Sequence, residues 1–564
     1  MKKIISLIIC IALIAAVAAP MAAASGYEYL PIVYIRGNGE PLYDADGNIL
    51  ATDMQSLNFG GEGEEGEEGT STKDAIVEAC VNILKPFVLE GMIFDEWDNY
   101  GRAIYDEISP LFGDAGLDEN GNAKNGTGVS KSQLASSEAG SKSAWAYNNH
   151  QEYGFVFDWR LSPYDHVDRL HEYIQNILKA TGKKQVNIYA RCMGGGLLMA
   201  YLERYGHLGH IKNAMFCEVL SNETTVVSKA FSGQIEFNAE MAERYMGQLD
   251  FCGRTGNGVG FVFTDLLNEI VFTTMDFFNQ ITVTDQALDE VEKLYGRLYQ
   301  ALIPAILHAS GMATQLNYWS CVAEEDMDAA INLLYGEEGS ELRTKYAGLV
   351  DKILYYREHV SSDLKGFYDT LKDNGIHIGF TAKYGFLNAP FTADNDILSD
   401  SLVSLEHATF GAFCAKVGTR FTDKYMAAKA EEGLDKYISP DRQVDLSTAY
   451  SPDTTWVLKN AHHDIFEPVV PIVYEFLNGT NETVDTVTAG TQFMIYDYET
   501  GTASEMTEEN AVDLEFMSIP ETNPTTMSIL TAFFRFMSMV LKILTSVMNG
   551  SFNVGDIFGD TGIL

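Results

Sequence analysis

The stretch QVNIYARCMGGGLLMAYL, residues 185–202, decides how the chain is built. Its first six residues, 185–190, are rich in β-branched and aromatic side chains, which predicts a buried strand. From Met193 onward the apolar pattern becomes helical. The turn at residues 190–194 therefore joins a strand directly to a helix, and this connection is typical of parallel sheets covered by helices.

The same alternation of strand and helix continues on both sides of this stretch. Residues 153–157 (YGFVF) predict a strand, and residues 166–180 carry apolar side chains at helical spacing. Another buried strand is predicted at 30–35 (LPIVYI), and strand-like patterns return at 376–382 and 455–458. This rhythm predicts an α/β fold with a parallel sheet.

The turn at residues 190–194 (ARCMG) has the properties of a nucleophile elbow. A nucleophile on a sharp, strained turn between strand and helix needs small neighbours, and Ala190 and Gly194 are small. Cys192 occupies the position of the nucleophile, and a thiolate is an intrinsically strong nucleophile. The backbone N–H of Met193, at the start of the helix, is a candidate donor to an oxyanion.

Residues 150–206 resemble lipases of the lecithin–cholesterol acyltransferase type. Those proteins read approximately YDWR, helix, then VxLxGHSMGG, and this chain has DWR at 158–160, a helix, a strand and then Met-Gly-Gly. It departs from them by having Ala190 for Gly, Arg191 for His and Cys192 for Ser. The resemblance implies an α/β-hydrolase that acts on esters, often lipid esters. The turn also resembles the G-x-C-x-G-G box of polyhydroxyalkanoate synthases, which use cysteine at this elbow.

The resemblance also implies a catalytic triad in the chain order nucleophile, acid, histidine. Relatives often place the acid in an S-D-x-x-V loop, which makes Asp400 the first candidate, Asp396 the second and Asp394 the third. The histidine of this superfamily lies on the loop just past the final strand, which points to His463, with His462 as the alternative. The expected triad is Cys-His-Asp.

The second oxyanion donor is expected in the loop after strand 30–35. By analogy with relatives, the backbone amides of Gly37 and Asn38 are the candidates, alongside Met193. In the mechanism that follows, the histidine takes the thiol proton and the sulfur attacks an acyl carbonyl. Water or an alcohol then resolves the acyl-enzyme, so both hydrolysis and acyl transfer are open.

The domain organisation follows from the same patterns. Residues 1–24 predict a secretory signal peptide, since two lysines precede an apolar run and a small-residue cleavage site, so a secreted or cell-surface location is expected. Residues 25–227 and 372–480 are interpreted as the halves of the hydrolase core. Between them, 228–371 predict a mainly helical cap or lid, with a separate all-α domain as the alternative. Residues 481–564 form a C-terminal extension.

Within that extension, residues 525–548 predict an amphipathic helix that docks on the body of the protein or on a lipid surface. The formal charge of −41 excludes nucleic acid as a partner, because a surface this acidic repels phosphates. No metal is predicted, since the cysteines form no C-x-x-C pair and adjacent histidines point apart. No cofactor is predicted either.

Two other classes of function remain open at this stage. One is a catalytically inactive protein with a hydrolase fold that binds a hydrophobic ligand at the cell surface. The other is a structural protein of the cell surface anchored by the helix at 525–548. The reactivity of Cys192 separates the enzyme from the binding protein, and deletion of residues 525–564 tests the surface-anchored structural protein.

Overall fold

The computed structural model describes residues 29–37, 41–50, 94–130, 152–234, 300–388 and 396–517, with scattered positions at 86–91, 134, 244–255 and 297. The predicted signal peptide at 1–24, the part of the predicted cap at 256–296 and the predicted helix at 525–548 lie outside the described residues. Within those residues, no helix is long and apolar enough to cross a membrane.

An eight-stranded, mostly parallel sheet forms the centre of the described chain. The strands are β1 (Ile32–Ile35), β2 (Leu42–Tyr43), β3 (Gly128–Val129), β4 (Glu152–Phe155), β5 (Val186–Arg191), β6 (Ile211–Cys217), β7 (His377–Tyr384), β8 (Phe413–Cys414), β9 (Val444–Asp445), β10 (Thr455–Lys459), β11 (Phe493–Asp497) and β12 (Thr502–Glu505). The central sheet has the order β12-β11-β10-β7-β6-β5-β1-β4, and β12 runs antiparallel to β11. The pairs β2–β3 and β8–β9 are small separate sheets.

Helices cover this sheet and fill the connections. They are α1 (Trp97–Phe112), α2 (Tyr164–Thr181), α3 (Gly194–Tyr205), α4 (Thr225–Ser232), α5 (Leu316–Trp319), α6 (Met327–Tyr335), α7 (Glu341–Lys345), α8 (Ala347–His359), α9 (Leu364–Asp373), α10 (Leu405–Ala408), α11 (Asp423–Glu432) and α12 (Val470–Asn478). Residues 301–309 are also helical.

Both faces of the sheet are buried, which explains why its strands are apolar without alternation. In β1, Val33 and Ile35 pack in the apolar cluster formed with α2 and α3. Ile32 and Tyr34 point to the other face and pack with α12. The predicted α/β class is therefore confirmed as a mostly parallel sheet with helices on both sides.

Three strands of the sheet were not indicated by the sequence pattern: β6, β11 and β12. In β6, Lys212 and Asn213 interrupt the apolar run, because their side chains donate to the carbonyl groups of Leu477 and Gly479 at the end of α12. The last two strands lie beyond residue 480. The central sheet thus continues into the segment that the sequence analysis treated as a C-terminal extension.

Helices α4 to α9 lie in the chain between β6 and β7; α4 begins before the predicted insertion at 228–371, and α9 ends at Asp373, just after it. The described part of this insertion is helical and has its own apolar cluster around Trp319, Tyr335 and Leu349. It is also joined to the sheet, since Tyr356 of α8 and Tyr368 of α9 belong to the apolar cluster of α2 and α3.

Candidate active site

The turn between β5 and α3 holds Cys192 in a left-handed backbone conformation, with a φ of 55°. A non-glycine residue in this region costs about 1–3 kcal/mol and persists only when its surroundings fix it. Here Cys192 N–H donates to the carbonyl of Cys217 at 3.3 Å, and its carbonyl accepts from Gly195 at 3.1 Å and Leu220 at 3.3 Å. The thiol is free and half-buried, so the turn presents the sulfur at the edge of the sheet.

Two glycines allow the chain to approach this turn closely. A Cβ on Gly37 would lie 3.0 Å from the Cβ of Cys192 and 3.4 Å from the backbone nitrogen of Met193. The structure therefore brings Gly37 and Met193, two of the three predicted oxyanion donors, next to the thiol. The third, Asn38, lies outside the described residues.

Replacing Gly194 by alanine is expected to destabilise the protein by about 1–3 kcal/mol, because the new methyl group would meet backbone atoms. A Cβ on Gly194 would lie 2.5 Å from the carbonyl oxygen of Ile35 and 2.8 Å from that of Arg36. The measurement is the free energy of unfolding in urea. Gly154→Ala in β4 is the matched control, since nothing lies within 4 Å of a Cβ there. If Gly194→Ala and Gly154→Ala lowered the free energy of unfolding equally, the close approach of the Ile35 and Arg36 carbonyl groups to Gly194 would be contradicted.

His463 and Asp400 form a buried pair beside the turn. Nδ1 of His463 lies 2.8 Å from Oδ2 of Asp400, and the two side chains are 4% and 1% exposed. The other carboxylate oxygen, Oδ1, accepts from the backbone N–H groups of Leu402 at 3.0 Å and Val403 at 2.8 Å. Because a carboxylate only accepts, the proton lies on Nδ1 and leaves Nε2 available for another group.

The group that faces Nε2 of His463 is the Cys192 thiol. Burial would lower the pKa of His463, but the charge of Asp400, the neighbouring Cys192 and the hydrogen bond to Asp400 outweigh it and raise that pKa to about 10. Within the described residues, Nε2 makes no well-oriented hydrogen bond. The imidazole and the thiol are therefore adjacent but not yet aligned, as is common in active sites before substrate binds.

This raised pKa predicts how stability depends on pH. Since the folded-state pKa lies above the ordinary value of 6.5, protonated His463 stabilises the fold fully below about pH 6.5, and the contribution is lost as pH rises through about 10. The difference in unfolding free energy between wild type and His463→Gln is expected to shrink over that interval. Denaturant titrations at a series of pH values measure it. In a Cys192→Ala background the contribution should be smaller and its loss complete at a lower pH, because Cys192 helps to raise the folded-state pKa; a difference that widens with pH would contradict the pairing.

The other two aspartates proposed for the acid are not part of this arrangement. Asp396 forms an ion pair with Lys416, with 2.6 Å between Oδ2 and Nζ. Asp394 lies outside the described residues. Asp400 is also held in its charged form: burial would raise its pKa, but His463 and Lys383 outweigh this and keep it below its usual range.

The neighbouring histidine, His462, has different partners. Its Nε2 lies 2.8 Å from the hydroxyl of Ser401, and its Nδ1 lies 3.3 Å from a carboxylate oxygen of Asp464. Adjacent residues point apart, so only one of the two histidines faces the elbow. The structure brings His463, and not His462, together with Cys192.

The DWR segment at 158–160 forms an internal ion-pair corner. The Arg160 guanidinium is fully buried and binds Asp158 through two hydrogen bonds of 3.0 and 2.7 Å. It also donates to the carbonyl of Ala115 at 3.1 Å and the hydroxyl of Thr127 at 3.3 Å. These bonds tie the chain after β4 to the segment after α1, so this part of the lipase-like pattern has a packing role here.

Cys192 packs against a buried apolar cluster at the elbow. The cluster against which it packs includes Met193, Leu220 and Cys321, with Tyr318 partly buried beside them. Tyr318 belongs to α5, in the helical insertion. The amide of Asn317, also in α5, donates to the carbonyl of Met193 at 3.0 Å, so the insertion reaches the elbow itself.

The sequence analysis gave no role to three charged residues next to this site: Arg191, Glu218 and Lys383. Lys383 and Glu218 are completely buried. A lysine near the end of an otherwise apolar strand, FTAKY at 380–384, was the available signal, since buried lysines need a charged partner. The partner could not be found without β6, which Glu218 follows directly.

Compared with known proteins, the chain matches no family model and no curated protein. A chain in the crystal structure of the Tle4–Tli4 complex is similar at 10% sequence identity, over 63% of this chain and 75% of that chain, with a TM-score of 0.24. A similarity at this TM-score carries no argument about fold or activity.

Proposed function

We propose that the chain is an α/β-hydrolase-type enzyme that hydrolyses or transfers the acyl group of carboxylic esters. Its nucleophile is Cys192, its base is His463, and Asp400 orients the base. The observation that carries this proposal is the buried 2.8 Å pair of His463 and Asp400 beside a cysteine in a left-handed strand-to-helix turn. Nucleophile, base and orienting acid in this relation define a catalytic triad.

The positions of the three residues in the sheet support the same assignment. The nucleophile follows β5, the acid follows β7, and the histidine follows β10, in the chain order of α/β-hydrolases. The carboxyl ends of these parallel strands meet at one edge of the sheet, where ligands bind in such folds. The helical insertion between β6 and β7 contacts the elbow through Asn317, which supports its role as a lid.

The reaction follows from the hydrogen-bonding capacity of each group. Nε2 of His463 takes the thiol proton and, because its pKa is raised to about 10, holds that proton beside the thiolate, which attacks the ester carbonyl carbon. The N–H groups of Met193 and Gly37 stabilise the oxyanion. Collapse of the intermediate breaks the ester C–O bond, and His463 returns its proton to the departing alkoxide. Water or another alcohol, deprotonated by His463, then attacks the thioester and releases the thiol.

The substrate we propose is an ester with an apolar acyl chain. Cys192 packs against an apolar cluster that includes Met193, Leu220 and Tyr318, and apolar surroundings of this kind take up hydrophobic groups. Export after removal of residues 1–24 and contact of residues 525–548 with a lipid surface are parts of the same proposal.

Labelling and hydrolysis with the purified protein test this function. We expect a thiol-reactive probe to label Cys192 and chromogenic esters of short and long acyl chains to be hydrolysed, and Cys192→Ala to abolish both. Cys414→Ala is the matched control, because Cys414 is also free and half-buried. A protein that binds a fatty acid but shows neither labelling nor hydrolysis would overturn the proposal in favour of a binding protein.

A further inference from the structure

A group of three charged side chains lies directly beneath the His463 loop and takes no part in the mechanism above. Nζ of Lys383, in β7, lies 3.2 Å from Oε2 of Glu218, and both side chains are completely buried. Nε of Arg191, at the end of β5, lies 3.8 Å from the same oxygen. Two cations thus share one buried carboxylate.

Both cations also bind the same backbone atom of the catalytic loop. Nζ of Lys383 donates to the carbonyl oxygen of His463 at 3.1 Å, and the Arg191 guanidinium donates to that oxygen as well. The backbone N–H of His463 donates to the carbonyl of Asp400 at 2.9 Å. The backbone of His463 is therefore held at its carbonyl oxygen by side chains of β5 and β7, and at its N–H by the loop that carries Asp400.

The carboxylate that holds Lys383 is itself fixed. Glu218 has a left-handed φ of 44°, and its N–H donates to the carbonyl of Thr381 at 3.1 Å. Its Oε1 accepts from the hydroxyl of Thr381 at 2.8 Å. Since Thr381 and Lys383 are on the same strand, the ammonium group cannot move away from the His463 carbonyl without breaking this arrangement.

Stabilisation of the fold does not by itself explain why these three charged side chains are placed together. Desolvating two charges offsets much of their attraction, so a buried ion pair often gives no more stability than apolar side chains of the same size. An ammonium group does provide a strong, directional hydrogen bond to a backbone carbonyl. Catalytic geometry requires the base to be held within about 0.5 Å of its productive position.

We propose that Lys383, held by Glu218, is a positioning residue that fixes the His463 backbone and thereby directs its imidazole at Cys192. Arg191 supports the same carbonyl from the neighbouring strand. The inference rests on the proposed function and adds the residues that position its base. The charged and titratable groups around His463 are Asp400 and Cys192 on its ring, Lys383 and Arg191 on its carbonyl, and its sequence neighbours His462 and Asp464.

The test is the rate at which iodoacetamide alkylates Cys192, measured from pH 6 to 10. The variant is Lys383→Met with Glu218→Gln, which removes both charges of the pair and leaves Arg191, whose side chain is 20% exposed, as the cation on the His463 carbonyl. We expect alkylation near pH 7 to become about tenfold slower, equivalent to about 1.4 kcal/mol. At high pH, where thiols ionise without help, the rate should match that of wild type.

The matched control is Lys459→Met with Asp441→Asn, an equally buried pair formed by Lys459 of the adjacent strand β10 and Asp441 of the loop before β9, with 2.7 Å between Nζ and Oδ2. It should lose thermal stability without changing the alkylation profile. A purely structural role for Lys383 predicts the same result for both double variants, which would overturn the inference. If the Lys383 variant does not fold, the less buried Arg191→Met tests the same carbonyl, with a smaller fall in the same direction expected and an unchanged profile overturning the inference.

The outcomes also separate this inference from the proposed function. If wild-type Cys192 is alkylated no faster than Cys414 at pH 7, the proposed function fails, and the inference fails with it. If wild type shows the fast, pH-dependent reaction and the Lys383 variant keeps it, the inference alone fails.

Discussion

Replacing His463 by glutamine is expected to lower the turnover of a carboxylic ester by at least about 10⁴-fold, because the thiol then has no base. Glutamine keeps much of the volume of the imidazole and can donate to Asp400, so the fold should persist. The measurement is kcat/KM for the best ester found with wild type. The thiol probe should also react more slowly with Cys192, since the imidazole no longer takes its proton.

His462→Gln is the matched control for this prediction. The two histidines are adjacent in sequence, but His462 binds Ser401 and Asp464 instead of Asp400. Its replacement should leave kcat/KM close to that of wild type. A larger loss in His462→Gln than in His463→Gln would contradict the assignment of the base.

Replacing Asp400 by asparagine is expected to lower kcat by about 10⁴-fold, which is the size of effect seen when the acid of a triad is made neutral. Oδ1 of asparagine can still accept from Leu402 and Val403, so the loop should keep its shape. The amide no longer stabilises the imidazolium and favours the wrong tautomer of His463. The pKa of His463 should fall, because the charge of Asp400 is a main cause of its rise.

Asp396→Asn provides the comparison for that variant. Asp396 pairs with Lys416, whose side chain is 75% exposed, and such surface pairs contribute only about 0–1 kcal/mol. We expect kcat in Asp396→Asn to stay near the wild-type value. If instead Asp396→Asn is inactive and Asp400→Asn is active, the acid has been assigned to the wrong aspartate.

The sequence predicted those parts of the site whose residues lie close together in the chain. The elbow could be recognised because strand, small residues and helix follow one another within residues 185–202. The candidates for acid and base followed from their positions after two strands, and the resemblance to lipases supplied their order. Sequence alone left Asp400 and His463 alongside close alternatives, because which of two neighbouring side chains faces the elbow depends on the loop conformation.

The parts that escaped prediction depend on contacts between distant segments. β6 was missed because its polar residues, Lys212 and Asn213, satisfy carbonyl groups at the end of α12, more than 200 residues away in the chain. Without β6, Glu218 had no position in the sheet, and the burial of Lys383 had no explanation. Such pairings leave no periodic signal in either segment.

The two strands that follow β10 in the sheet also affect how the protein responds to removal of its C-terminal residues. β10, which is followed by the loop that carries His463, pairs with β7 on one side and β11 on the other, so it is an interior strand. Proteolytic removal of the chain after residue 490 would turn it into an exposed edge with unpaired backbone groups, which attracts strands from other molecules. A cut far from Cys192 in sequence is therefore expected to destabilise the strand that leads into the His463 loop and to promote aggregation.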